Sequence, residues 1–212
     1  MSNETGLEDL ARRLKALGEN RRAVCAIAGA PGSGKSTLAE RLVERLNQDT
    51  PGIAALLPMD GYHFDDLHLV PAGLRPRKGA PETFDVGGLR HMLLRLRANE
   101  EDAVAVPVFD RDIEIARAGA RLIPSSVRFI VCEGNYLLLD RAPWNTLRPL
   151  FDLTVMIEVP EEELRRRLTQ RWEGYRLTPE EIAWKLDGND LPNGRAVMAD
   201  SAPADVVIRP EA

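Results

Sequence analysis

The sequence predicts an α/β fold, with a mostly parallel sheet covered by helices on both faces. Two observations carry that expectation. Short apolar runs of strand length recur at 23–28, 53–58, 103–108, 129–132, 153–159 and 205–208. The intervals between them are long enough for helices, and several carry helical periodicity or helix-start signals. With 212 residues, 44% of them hydrophobic, the chain can bury a substantial core. It contains no internal repeat and no Gly/Ser-rich linker, so residues 1–212 read as a single domain.

The elements follow in order. Leu7, Leu10, Ala11, Leu14 and Leu17 recur at helical spacing, placing a helix within residues 1–20 that ends near Gly18. AVCAIA is the first strand, and GAPGSGKST leads from it into an amphipathic helix. The second strand, IAALLP, runs to an acid, Asp60. Residues 73–85, GLRPRKGAPETFD, are short of apolar side chains and rich in Gly, Pro and cations, so they form a loop. Asp85 is placed to cap a helix carrying Val86, Leu89, Leu93 and Leu96. AVAVPV reads as another strand, with Asp110, Arg111 and Glu114 beyond its end, and FIVC as a strand that delivers Glu133. After LTVMIEV, a helix carries Arg165, Arg166, Arg167 and Arg171. Thr178, Pro179 and Glu181 form a capping box that starts the next helix. Asn189, Asp190 and Asn193 read as a turn before the last strand, DVVI.

Composition excludes several function classes. A net charge of −5 gives no reason to expect nucleic acid or an anionic membrane surface, and no apolar run approaches the roughly 20 residues of a bilayer span. The polar, acid-bearing N-terminus does not read as a signal peptide. Cys25 and Cys132 each sit inside an apolar run as small buried hydrophobes, which fits a reducing cytoplasm, and three histidines without ligand spacing do not make a zinc site. The expected partner is a small molecule. A homodimer is the commonest assembly for such a chain, although no pattern here encodes it.

The strongest chemical signal is G-x-x-x-x-G-K-[ST], met by Gly29, Gly34, Lys35 and Ser36 between a strand and a helix. The loop formed by Gly29, Ala30, Pro31, Gly32, Ser33 and Gly34 can turn successive N–H groups toward phosphates at the positive end of the new helix. Lys35 reaches the outer phosphates, and Ser36, beside Thr37, suits a magnesium ion. Such a loop leaves the fate of the phosphate open. Glu133 at the carboxyl end of a strand can orient magnesium or its water. Asp60, at a second strand end, can accept a hydroxyl proton or sit close to the metal. Arg167 and Arg171, four apart, share one helix face, and planar guanidinium groups suit charge spread over phosphate oxygens. An exposed, ion-paired helix surface explains the same EEELRRR run equally simply. A regulatory GTPase would need a guanine-reading Asn-Lys-x-Asp and a switch Asp-x-x-Gly, and neither occurs in suitable context. The alternative of a nucleotide-binding regulatory protein without catalysis gives Asp60, Glu133 and the arginines no joint purpose.

GAPGSGKST, PMDGYHFD, GLRPRKGAPETFD, PVFDRDIEIARAG and VCEGNYLLLD, in this order, resemble the successive motifs of the uridine kinase, phosphoribulokinase and type I pantothenate kinase group. The likeness is strongest to its fructokinase-like, or nucleoside kinase-like, branch. The resemblance implies a three-layer αβα P-loop NTPase fold, ATP with Mg2+, and transfer of the terminal phosphoryl group to a hydroxyl of a small metabolite, a sugar or a nucleoside. It implies phosphate and magnesium roles for Lys35 and Ser36, a catalytic role for Asp60, a metal-side role for Glu133, and a lid over residues 161–178 bearing Arg167 and Arg171. QRWEG departs from the Arg-Asp pair that several relatives carry in the lid. Candidate acceptor contacts are Asp60, Tyr62, His63, Arg77, Lys78, Asp85, Arg111 and Tyr136. Arg75, Arg77 and Lys78 can meet an anionic group or simply solvate their loop.

Overall fold

AVCAIAG, residues 23–29, is buried at every position. Its alternate residues enter two different cores, Val24, Ala26 and Ala28 in one and Ala23, Cys25 and Ile27 in the other. A strand with that property lies inside a sheet covered on both faces. The computed structural model of the chain describes residues 3–19 and 21–210, the first three as backbone only. Helix α1 (Asn3–Leu17) precedes β1 (Ala23–Gly29), which is followed by α2 (Lys35–Asp49), β2 (Ala54–Pro58), the short α3 (Asp66–Leu69) and α4 (Val86–Ala98). Strands β3 (Ala103–Asp110), β4 (Ile115–Pro124), β5 (Phe129–Glu133) and β6 (Leu153–Ile157) come next, then α5 (Glu161–Gly174), α6 (Pro179–Lys185), α7 (Leu191–Asp200) and β7 (Val206–Ile208).

The main sheet has the order β2-β5-β1-β6-β7, and every pair in it is parallel. Helices α1 and α2 bury Leu10, Leu14, Leu42 and Leu46 on one face. Helix α4, with Leu89, Leu93 and Leu96, packs on the other. This is the three-layer αβα arrangement of the P-loop NTPases. Cys25 and Cys132 are buried free thiols in opposite layers. No helix among the described residues is long and apolar enough to cross a membrane.

Two expectations change. The run at 103–108 does not join the parallel sheet: β3 pairs antiparallel with β4 in a separate hairpin. Only Val104 and Val106 of β3 are fully buried, and the register shifts between Val106 and Val108 around Pro107, which has no N–H for a ladder. Strand β4, IARAGARLIP, is mostly exposed, so an apolar scan passes over it. The second change concerns Asn189, Asp190 and Asn193, which lie not in a turn but in helix. Residues Leu186–Asp190 form a π-helical turn that carries α6 into α7. Local turn preference is overridden by packing of Leu186, Leu191 and Val197 into the cores.

The two caps read from the sequence hold. Asp85 accepts from Gly88 N–H at 2.8 Å, and Thr178 and Glu181 form the reciprocal capping box. The hairpin is tied to the sheet by Arg22, 6% exposed, which donates to the carbonyls of Val127 at 2.7 Å, Leu96 at 2.8 Å and Pro124 at 2.9 Å. Arg22→Ala leaves those carbonyls without their donor and is expected to destabilise the chain by about 3 kcal/mol. Denaturant unfolding checks this, and a loss under about 1 kcal/mol contradicts it.

Candidate active site

Strand register brings the chemistry to one sheet edge. Glu133, the last residue of β5, lies level with Ile27 on β1 and with Pro58 on β2. Two residues past each of those partners come Gly29, which opens the glycine loop, and Asp60, in the 3-10 turn Met59–Tyr62. Gly34 closes the loop at φ 92°, a left-handed conformation that glycine adopts without strain, and α2 starts at Lys35. The Ser36 hydroxyl then donates to Glu133 Oε2 at 3.2 Å. Lys35 has no hydrogen-bond or ion-pair partner among the described residues, and it lines a cleft together with Pro31, Asp60 and Arg171.

The hairpin forms one wall of this cleft. Its close approach requires Gly61, where a Cβ would come within 2.6 Å of the Pro107 carbonyl oxygen. Arg111, from the hairpin, lies over the Phe109 ring and pairs its Nη2 with Asp60 Oδ2 at 2.6 Å. His63 donates its Nδ1 hydrogen to the Asp60 carbonyl at 2.8 Å, which fixes the tautomer. Its ring packs on Phe84 and Phe109.

Environment separates the two carboxyl groups. Burial raises the Glu133 carboxyl above the usual range, the nearby Asp60 charge adds to this, and the Lys35 cation opposes it. Burial also works to raise Asp60. The charges of His63, Arg111 and Lys35, with the Arg111 hydrogen bond, outweigh it and hold Asp60 below the usual carboxylate range. Burial lowers His63. The arrangement offers an ionised acceptor of protons at Asp60 beside an unpaired cation at Lys35.

The residues present fit a phosphate chain and a hard cation. Ser33 Oγ is buried in the loop without a partner among the described residues. Ser36 Oγ and Glu133 Oε2 form a pair of oxygen ligands, and the described residues contain no group of three or more acidic, histidine or cysteine side chains that could hold a metal alone. Magnesium, which keeps waters and phosphate oxygens around one or two protein ligands, matches such a sparse set. A second cleft, of about 520 Å³, meets the loop at Ser33, Gly34 and Thr37 and is closed by Arg41, Arg167 and Ile208–Pro210. Arg167 bonds Glu163 at 2.7 Å, and its Nη1 lies 3.5 Å from the Ser33 carbonyl. Arg165 and Arg166 pair at the surface with Asp187 and Glu163.

Not every expected acceptor contact reaches the cleft. His63, Lys78 and Arg111 line it with Asp60. Asp85 does not, because its exposed side chain is spent on capping α4. Arg77 is exposed and pairs with Glu82 at 2.7 Å. Tyr62 is a core residue. Tyr136 is fully buried, edge-on to Phe84 and close to Trp144, and its hydroxyl donates to the Gly79 carbonyl at 2.6 Å. Sequence reasoning missed Asn135, Phe109, Trp172, Trp184 and Lys185, which line the cleft. Asn135 was findable, standing two residues beyond Glu133 at a strand end.

Comparison with known proteins gives the same group. No family model matches the chain. It is 34% identical over 197 residues to the uncharacterized protein YggC of Escherichia coli K12, covering 92% of this chain and 81% of that one. It is 32% identical over 206 residues, 93% of this chain and 87% of the relative, to a Schizosaccharomyces pombe protein named "putative uridine kinase". A crystal structure from Silicibacter sp. TM1040, described as a "putative fructose transport system kinase", superposes with a TM-score of 0.88 at 40% identity, covering 95% of this chain and 98% of that one. The chain belongs to the P-loop kinases of the uridine kinase, phosphoribulokinase and type I pantothenate kinase group, and it is an ATP-dependent small-molecule kinase.

Proposed function

We propose that this kinase transfers the terminal phosphoryl group of ATP, with Mg2+, to a hydroxyl of a sugar or of a nucleoside. The observation that carries this reading is the convergence of Lys35, Ser36, Asp60 and Glu133 at the carboxyl ends of β1, β2 and β5, beside an open cleft. The names of two relatives, "putative uridine kinase" and "putative fructose transport system kinase", support those two acceptor classes.

In the proposed mechanism the glycine loop and Lys35 hold the phosphates, and the nucleoside lies in the cleft lined by Thr37, Arg41 and Ile208–Pro210. Ser36 and Glu133 would hold magnesium or its water, which would supply neutralisation of phosphate charge there. Asp60 accepts the acceptor's hydroxyl proton as that oxygen bonds to the terminal phosphorus. The bond from phosphorus to the bridging oxygen breaks, and ADP leaves with the electron pair. Residues 161–178, α5 and the turn that follows it, act as the lid, with Arg167 on the loop side and Arg171 over the transferring group. The kinase acts in the cytoplasm, where Cys25 and Cys132 persist as thiols.

An ATP-consumption screen over sugars, nucleosides and vitamin precursors, with products identified by mass, tests this reading. Stimulation of ADP release by no acceptor contradicts it. Arg111→Ala supplies a pH test. Removing the guanidinium takes away a stabiliser of ionised Asp60, so its pKa rises, and the acid limb of the kcat/KM profile is expected to move to higher pH. An unmoved acid limb separates Arg111 from the base.

A further inference from the structure

Six cations border the cleft: Lys35, Arg75, Lys78, Arg111, Arg171 and Lys185. Taken from sequence, such a set suggests an anionic acceptor, yet carboxylates claim three of the four cations at the acceptor end, Arg75, Lys78 and Arg111. Arg75 bonds Asp66 at 2.7 Å and Glu114 at 2.9 Å. Lys78, whose side chain is 7% exposed, lies 2.7 Å from both Asp66 Oδ1 and the Glu114 carbonyl. Two cations thus close on two carboxylates. Arg111 is neutralised by Asp60. Lys185 rests on the Trp172 ring, 4.5 Å from its centroid, and that indole donates to Asp190. Lys35, Arg171 and Lys185 have no carboxylate partner among the described residues; the first two are those assigned above to the phosphates, and Lys185 is held on the Trp172 face.

The polar groups left over accept hydrogen bonds. Asn135 lines the cleft, and its Oδ1 is buried with no donor among the described residues. Nδ1 of His63 donates to the Asp60 carbonyl, so the Nε2 edge, which has no partner among the described residues, carries a lone pair whenever the ring is in its neutral form. Asp60 Oδ1 is likewise without a donor, since Arg111 takes Oδ2. Trp172 and the exposed Trp184 add flat apolar faces at the rim. At about 200 Å³ the cleft lies below the roughly 300–1,000 Å³ of drug-sized sites and suits a monosaccharide-sized ligand.

We infer that the acceptor is an uncharged polyhydroxy compound, a free sugar or sugar-like polyol in place of a sugar phosphate or hydroxy acid, whose hydroxyls donate to Asn135 Oδ1 and His63 Nε2. This rests on the phosphoryl-transfer reading above and specifies its acceptor. The charged loop 75–79 then positions the cleft wall and does not bind an anion.

Matched pairs test the inference: fructose with fructose 6-phosphate, ribose with ribose 5-phosphate, and glycerol with glycerate. ADP release is measured together with calorimetric binding to the chain loaded with ADP and magnesium. The neutral member is expected to be favoured at least about tenfold in kcat/KM, with a KM that changes less than about twofold between low and high salt, because no ion pair with the acceptor is screened. Asn135→Ala is expected to raise acceptor KM about tenfold and leave the KM for ATP unchanged, a split that a merely structural role would not produce. The double variant Asp66→Asn/Glu114→Gln removes both carboxylate partners of Arg75 and should shift preference toward the phosphorylated member. Preference of the wild type for the anionic members, or binding of neither member, overturns the inference. Binding of the neutral member without ADP release rejects phosphoryl transfer and retains the charge assignment.

Discussion

Lys35→Ala is expected to abolish phosphoryl transfer, by at least about 10³-fold in kcat, while thermal unfolding stays within a few degrees of the wild type. The two halves of this result have separate causes. Lys35 makes no hydrogen bond or ion pair with the described residues and is half-buried at the first position of α2, so its removal opens no core and orphans no partner. Its charge faces the cleft shared by Asp60 and Arg171, where the outer phosphates are proposed to lie. In a transfer that asks mainly for alignment and charge stabilisation, loss of that cation removes stabilisation that water does not replace. Wild-type turnover in the variant would sink the assignment of the loop. A collapse of folding together with activity would leave Lys35 with a structural role that its surroundings do not predict.

Asp60→Asn is expected to lower kcat by about 10²–10⁴-fold with ATP affinity nearly unchanged. The amide keeps the shape of the carboxylate and removes its basicity. Asp60 is a credible base on geometry first, since the level ends of β2 and β5 deliver it beside Glu133 and into the same cleft as Lys35. Its ionised state comes second: His63, Arg111 and Lys35 together overcome the burial that works to raise it. A kcat within roughly threefold of wild type would make Asp60 neither base nor essential metal partner and would move that role to Glu133. Collapse of ATP–magnesium binding instead would show that Asp60 acts chiefly through the metal.

The sheet was legible because β1, β5 and β6 are buried on both faces and so carry unbroken apolar runs between turn signals. The loop was legible for a different reason: Gly34 and Lys35 are demanded by backbone conformation and charge, which a sequence states directly. The hairpin was half legible. Its inner strand looks like any other apolar run, and its outer strand alternates too weakly to register, so Arg111 was found without the reason it reaches Asp60. The π-helical turn was hidden because Gly, Asn and Asp favour turns locally, and only packing of Leu186 and Leu191 reverses that.

Acceptor residues were the least legible part. Whether a polar side chain meets substrate depends on which neighbour claims it first. Asp85 could cap a helix or bind a ligand, and in the fold it caps. Tyr136 carried a hydroxyl suited to an acceptor, and Gly79 takes it. Arg75 and Lys78 offered positive charge, and Asp66 and Glu114, distant in sequence, absorb it. Asn135 carries no charge to draw notice, and its importance lies in an unfilled acceptor that only the packed structure reveals.

The central claim is that the terminal phosphoryl group of ATP passes to a hydroxyl held beside Asp60. Following isotopic label from the γ-phosphate of ATP tests it most directly, with wild type and Asp60→Asn run side by side over the neutral acceptors. The expected result is label in the acceptor, one phosphoryl group for each ADP released, with the rate falling by the stated factor in the variant. Label recovered only as inorganic phosphate, at a rate indifferent to acceptor and to Asp60, would contradict the account.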